Sequence, residues 1–258
     1  MAKNPDPRKK ERRRKRRRGF LYFIIASILT GAIAFFIADE PLPQGSAGDE
    51  AEVLTDKMLT AVNADAWDKI SYISWTFRGD HKYVWDKKRH CARIEWSDVV
   101  VLLNLNTKEG SVWQTGQPLA GDALKVALGQ AYEYWCNDSF WLNPVVKVRD
   151  PGTNRQIVDL DDGTQGLLVT YTSGGVTPGD SYLWTFSENG FPKAWKMWVD
   201  IAPIGGLEFS WEGWKQLPGG AWVSTLHQGA VFDIPVEGIV VGNSLSDFGL
   251  ADDLFSNL

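Results

Sequence analysis

The chain is poor in the residues from which metal centres and nucleophiles are usually built. Its 258 residues include two cysteines, three histidines and three methionines. His81, His90 and His227 never fall at the i, i+4 spacing by which one helix face presents two ligands, and no HExxH, GxSxG, P-loop or GxGxxG occurs. His90 adjoins Cys91, but neighbours on a strand point to opposite faces. These absences remove the signatures of zinc hydrolases, serine esterases and nucleotide-binding enzymes. The expectation is a non-enzymatic protein with no catalytic residues, no metal and no cofactor. Paired acids remain open, because they leave no local motif.

Positive charge is scarce beyond residue 18. The first 18 residues hold eleven of the 27 Lys and Arg against Asp6 and Glu11, a net of +9, which leaves −14 on the rest of a chain whose formal total is −5. A body this acidic does not suit a phosphate backbone, so nucleic acid is not an expected partner.

The basic tail instead abuts nineteen residues without a formal charge, Phe20 to Ala38. As a helix they would reach roughly 28 Å, close to the hydrocarbon thickness of a bilayer. Lys and Arg stay on the cytoplasmic side. The expectation is therefore a cytoplasmic tail over 1–18, a transmembrane anchor over 19–38 in the inner membrane, and a body on the periplasmic or extracytoplasmic side. Arg12, Arg13, Arg14, Arg16, Arg17 and Arg18 would meet anionic headgroups. Ala32-Ile33-Ala34 is a small-x-small cleavage site, and Arg17 to Leu21 has the look of a twin-arginine signal. Phe35, Phe36 and Ile37 extend the apolar run past the first of these, which favours a retained anchor. In an exported body, Cys91 and Cys136 are either a disulfide closing a loop of about 45 residues or two buried thiols.

Asp39 to Asp49 is rich in Pro, Gly and acid and reads as a linker. Helical spacing of Val53, Leu54, Met58, Leu59, Val62 and Trp67 predicts a helix over 50–70, and a second is predicted over 119–137. The rest is predicted as about twelve strands, with hairpin turns at Asp161-Asp162-Gly163 and Glu188-Asn189-Gly190. Consecutive strands favour an antiparallel meander. The fold class expected is mostly β: one strongly curved antiparallel sheet, an incomplete barrel, covered by two helices over 50–235. An acidic tail would follow over 236–258, with 239–241 as an edge strand.

Thirteen tryptophans lie in the body. Residues two apart on a strand share a face. Trp75 with Phe77, Tyr182 with Trp184 and Phe186, Trp195 with Met197, and Phe209 with Trp211 each give one strand an aromatic face. Two readings stand. The rings line a concave pocket for a lipid-like or apolar ligand, or they are core in a structural protein whose surface docks another envelope protein. Two polar segments, Asn137 to Pro144 and Ser173 to Ser181, are either plain connections or the mouth of such a pocket. In the second case Asp138, Phe140, Trp141, Thr177 and Asp180 shape that mouth.

The order of anchor, helix, five-strand meander, helix and further strands resembles the LolA/LolB half-barrel of lipoprotein-localisation factors. Trp75-Thr76-Phe77-Arg78-Gly79 with Tyr83-Val84-Trp85-Asp86 is similar to the opening hairpin of that fold. Asn137 to Leu142 and Thr177 to Trp184 resemble segments of uncharacterised exported bacterial proteins of the same architecture. The resemblance spans about 50–228. It implies a concave apolar pocket that shields an acyl chain of a lipid or lipoprotein. The chain departs from the family in having a retained anchor, and in lacking a cysteine soon after the apolar run for lipid modification.

Overall fold

The computed structural model describes residues 39–258. The basic tail and the apolar run, and with them the expected anchor, lie outside the described residues. Among the described residues no helix is long and apolar enough to cross a membrane.

The protein is mostly antiparallel β-structure with few helices. Helices α1 (Asp49–Ala61) and α2 (Ala64–Asp68) replace the single helix predicted over 50–70. The break falls at Asn63, whose φ of 53° is left-handed. Asn tolerates that region, and here its side chain donates to the Gly220 carbonyl at 3.2 Å.

Strands β1 (Tyr72–Phe77), β2 (His81–Asp86), β3 (Cys91–Trp96), β4 (Val99–Asn104), β5 (Gly110–Gln114) and β6 (Gln117–Pro118) form a meander. Helix α3 (Gly121–Leu142) follows. Then come β7 (Thr153–Asp159), β8 (Gln165–Tyr171), β9 (Ser181–Phe186), β10 (Pro192–Trp198) and β11 (Leu207–Ser210). Both predicted hairpin turns are present, between β7 and β8 and between β9 and β10. A short ribbon, β12 (Lys215–Gln216) with β13 (Trp222–Val223), leads to β14 (Leu226–Gln228) and β15 (Asp233–Gly242).

Where one curved sheet was expected, the strands form two. The first runs β14-β15-β1-β2-β3-β4-β5-β6, and the second β11-β10-β9-β8-β7. Their edges touch at isolated bridges, Phe209 with Gly229 and Glu212 with Leu226. The break has a topological cause: α3 stands between β6 and β7, so those strands do not pair.

Residues 236–258 are not a loose tail. Strand β15 pairs with β1 over Tyr72–Phe77 and sits inside the first sheet. A 3₁₀ turn at Leu245–Phe248 then brings Leu245 and Phe255 over Cys91 and Leu102 on the outer face. Burying these side chains outweighs the local acidity that suggests a tail.

Helix α3 also outruns its prediction. It continues through Asn137-Asp138-Ser139-Phe140-Trp141 to Leu142, and Pro144 opens a 3₁₀ turn (Pro144–Lys147). Residue types that cap helices sit inside this one, because Asp138 bonds to the first sheet rather than to its own backbone. Ala127, Ala131, Trp135, Asp138 and Leu142, three or four residues apart, are all buried.

Asp39 to Ser46 is not a free linker. Asp39 Oδ1 accepts from the Gly205 amide at 2.8 Å, and the Glu40 carboxylate meets Lys196 Nζ at 2.7 Å. The Trp198 indole donates to the Glu40 carbonyl at 2.7 Å. Six residues on, Ser46 pairs with Ile157 of the edge strand β7. The segment is thus a strap from β10 to β7 over the outer face of the second sheet, where Val158, Leu168, Leu183 and Trp198 cluster.

Candidate functional site

Helix α3 lies between the inner faces of both sheets, and aromatic rings fill the space around it. Trp135 meets Trp75, Tyr83 and Trp85 of the first sheet, with ring centroids 5.0–6.1 Å apart. Phe140 meets Tyr171, Tyr182 and Trp195 of the second. Trp141 meets Trp195, Phe209 and His227. Edge-to-face and tilted pairs dominate, as ring quadrupoles favour.

The sequence-predicted lining residues are therefore mostly packed together. Trp75, Phe77, Tyr182, Trp184, Trp195, Phe209 and Trp211 are buried, and Phe186 and Met197 are half-buried. Trp184 and Trp195 are 0 % exposed, which makes this part of the interior solid core.

Asp138 is the polar joint of that interior. It is 1 % exposed. Its Oδ2 accepts from the Tyr83 hydroxyl at 2.5 Å and lies 2.6 Å from His81 Nδ1, while Asn137 Nδ2 donates to Oδ1 at 2.7 Å. Burial pushes its carboxyl above the usual carboxylate range, against the pull of these three partners. Burial beside that acid likewise drives the Tyr83 phenol far above its ordinary value. Tyr83 stacks on Trp75 at 4.5 Å, so the joint is fixed from both sides.

Asp138 and Asp180 are not an acid pair. Asp180 Oδ2 accepts from Thr177 Oγ1 at 2.6 Å, and its Oδ1 from the Asp200 amide at 3.1 Å. The first bond braces the β8–β9 loop, and the second ties it to the β10–β11 loop. Among the predicted mouth residues, Asp138 and Trp141 are buried, Phe140 is packed against Tyr182 and Trp195, and Thr177 and Asp180 belong to a separate loop pair.

Cys91 and Cys136 are unbridged thiols. They lie on opposite sides of the first sheet: Cys91 packs with Leu102, Leu245 and Phe255 outside, and Cys136 packs from α3 against the inner core. Burial raises both thiol pKa values. Among the described residues no group of His, Cys, Asp and Glu could hold a metal ion.

The array of rings has an open end. From Trp195 and Trp184 it continues to Trp211 at 5.0 and 5.1 Å, then to Trp214 at 6.3 Å, and Phe191 bridges Trp214 to Trp222. These last rings border a cleft of about 520 Å³, lined by Phe191, Trp211, Trp214 and Trp222 with Ser187, Asn189, Lys193 and Glu212 at its edge. The β9–β10 turn and the β12–β13 ribbon form its walls. A second cleft of about 440 Å³ is polar and acidic, with Asp39, Glu40, Asp180 and Asp200 around Trp198.

Of the four cleft rings, only Trp211 is among the side chains singled out by strand phase. Phe191 and Trp222 carry no periodic signal, since each sits beside a turn. Trp214 lies three residues from Trp211, out of strand phase with it. His227, which its spacing sets apart from any metal motif, is part of the same array. It is 0 % exposed, with Trp211 at 4.1 Å and Trp141 at 5.3 Å, and neither ring nitrogen has a hydrogen-bond partner among the described residues. Burial lowers its pKa to about 4.

No protein-family profile and no curated protein matches the chain. Among solved structures it is similar to a DUF1329 family protein from Desulfovibrio piger, with a TM-score of 0.41 and 12% identity over 81% of this chain and 98% of that one. It is also similar to a domain named for outer membrane lipoprotein sorting from Vibrio parahaemolyticus, with a TM-score of 0.31 and 10% identity over 79% of this chain and 98% of that one.

Proposed function

We propose that the chain is a single-pass membrane protein whose β-domain stands on the extracytoplasmic side and binds an amphiphile without catalysis. The apolar part of the ligand, a lipid or lipoprotein acyl chain, occupies the cleft of Phe191, Trp211, Trp214 and Trp222. The observation that carries this reading is the open end of the ring array, where aromatic faces that are core elsewhere border a cleft. About 520 Å³ is within the usual range of small-ligand sites. Lys193 and Glu212, with Ser187 and Asn189, offer charges and hydrogen bonds to a polar head. The ligand site is thus moved from the concave interior to its rim.

A second reading is supported by the same packing. Trp184 and Trp195 at 0 % exposure suit a structural domain with a filled core that docks another envelope protein. Mass spectrometry of lipids extracted from the purified full chain separates the two. The first reading expects one amphiphile per chain, lost in a Trp214→Ala/Trp222→Ala variant. No retained amphiphile in either protein overturns it and leaves the docking module.

A further inference from the structure

Three loops meet at one end of the two sheets. Ser181 of β9 pairs with Trp198 of β10, and Met197 with Leu207 of β11, so the β8–β9 loop and the β10–β11 loop lie side by side. The bridge from Phe209 to Gly229 brings the β14–β15 turn to the same end. The Asp180–Asp200 bond joins the first two loops at 3.1 Å, and Phe209 and Phe232 rings 5.6 Å apart join β11 to the third.

Beside the acidic cleft around Trp198, the turns of this end expose several apolar side chains. Of the eight exposed large hydrophobic side chains among the described residues, four are here: Val176 at 46 %, Ile201 at 76 %, Val231 at 90 % and Phe232 at 47 %. Arg78 lies over the Phe232 ring at 5.3 Å, an apolar stem with a cationic head beside an aromatic face. The strap begins at the same place, because Asp39 is bound to Gly205 within the β10–β11 loop. The next residue back is Ala38, the last of the uncharged run from Phe20.

We propose that this end of the domain rests on the membrane crossed by its own anchor, with Ile201, Val231 and Phe232 set into the outer headgroup and acyl boundary. The inference rests on the anchor reading made from the sequence. It follows because no free linker separates the apolar run from the folded domain. With Asp39 held to Gly205, the β10–β11 loop is within a few residues' reach of the bilayer surface, and the exposed side chains of that loop and its neighbours are those that partition into such an interface. Asp39, Glu40 and Asp180 each already have partners, whereas Asp200 and Asp233, exposed at the same end, are carboxylates that the contact must leave in water. The aromatic cleft lies beyond the opposite end of β9, about 20 Å away by strand length. It is thereby presented away from the anchoring membrane.

The test uses the full chain reconstituted in phosphatidylcholine vesicles. Single cysteines at Ile201→Cys, Val231→Cys and, as control, Val126→Cys in a Cys91→Ala/Cys136→Ala background carry an environment-sensitive fluorophore. Val126 is 70 % exposed on the far half of α3. Lipids brominated on the acyl chain should quench the labels at 201 and 231 at least threefold more than the label at 126. Equal quenching at all three, in a chain that resists carbonate extraction, overturns the surface while leaving the anchor intact. Extraction by carbonate overturns the anchor and the proposal together. Hydrogen exchange on the unmodified chain gives a second reading: residues 199–206 and 229–232 should exchange more slowly in vesicles than in detergent, and unchanged exchange counts against the contact.

Discussion

Tyr83 on β2 donates a 2.5 Å hydrogen bond to Asp138 on α3, in an interior otherwise made largely of aromatic rings. That contact sets the rotation of the helix between the two sheets. Asp138→Ala leaves the Tyr83 hydroxyl and the His81 ring without their acceptor, and should cost roughly 3 kcal/mol. Tyr83→Phe should cost about 1 kcal/mol. Because the groups share one bond, the double variant should fall short of the sum by about 1 kcal/mol in urea unfolding followed by tryptophan fluorescence. Strict additivity would mean that the helix is placed by ring packing alone.

His227 gives the protein an acid-side weakness. Its pKa is about 4 when folded, against 6.5 for the free side chain. The unfolded chain therefore takes up a proton that the folded one refuses. Stability contributed by the neutral ring is complete above pH 6.5 and is lost as pH falls toward 4, by about 3 kcal/mol. His227→Phe should flatten this part of the profile and leave the midpoint at pH 7 little changed. A variant with the wild-type slope between pH 6.5 and 4 would assign the loss to other groups.

Gly205 is the seat of the strap. A Cβ there would stand 2.7 Å from the Glu40 carbonyl and 2.3 Å from the Trp198 ring. Gly205→Ala should displace Asp39 and Glu40 and expose residues 41–45 to protease, with a loss of about 1–3 kcal/mol. Limited proteolysis that cuts wild type and variant at equal rates would show that the strap does not depend on this close approach.

The two cysteines should behave as separate, shielded thiols. Cys91 should react with a thiol reagent only after denaturation and the partly exposed Cys136 slowly in the native state, two equivalents per chain should react in denaturant, and a reductant should leave the melting temperature unchanged. No reactive equivalent in denaturant, restored to two by a reductant, would indicate the bridge instead.

Much of this fold was legible in local pattern. The two hairpin turns around Gly163 and Gly190, the alternation in β1 and β9, and the apolar spacing of α3 each depend on neighbours in sequence. What was missed depends on distant partners. Acidic residues around β15 suggested a tail, but the strand is claimed by β1, more than 150 residues away. Asn137 and Asp138 look like a helix end until Tyr83 and His81 supply their role. The Pro-rich strap looks free until Lys196, Trp198 and Gly205 are brought to it. The candidate site follows the same rule. Strand phase found the buried rings, including Trp211, whereas the open cleft is made by residues beside turns, Phe191 and Trp222, whose meeting at 5.7 Å is a tertiary event.

The central claim is that the ring array ends in a working amphiphile site. Its most direct test is titration of the full chain, held in a lipid nanodisc, with a brominated medium-chain fatty acid while tryptophan emission is read. The account predicts saturable quenching, and a binding constant weakened at least tenfold by Trp214→Ala. Quenching that never saturates, or a constant unchanged by that substitution, would contradict it.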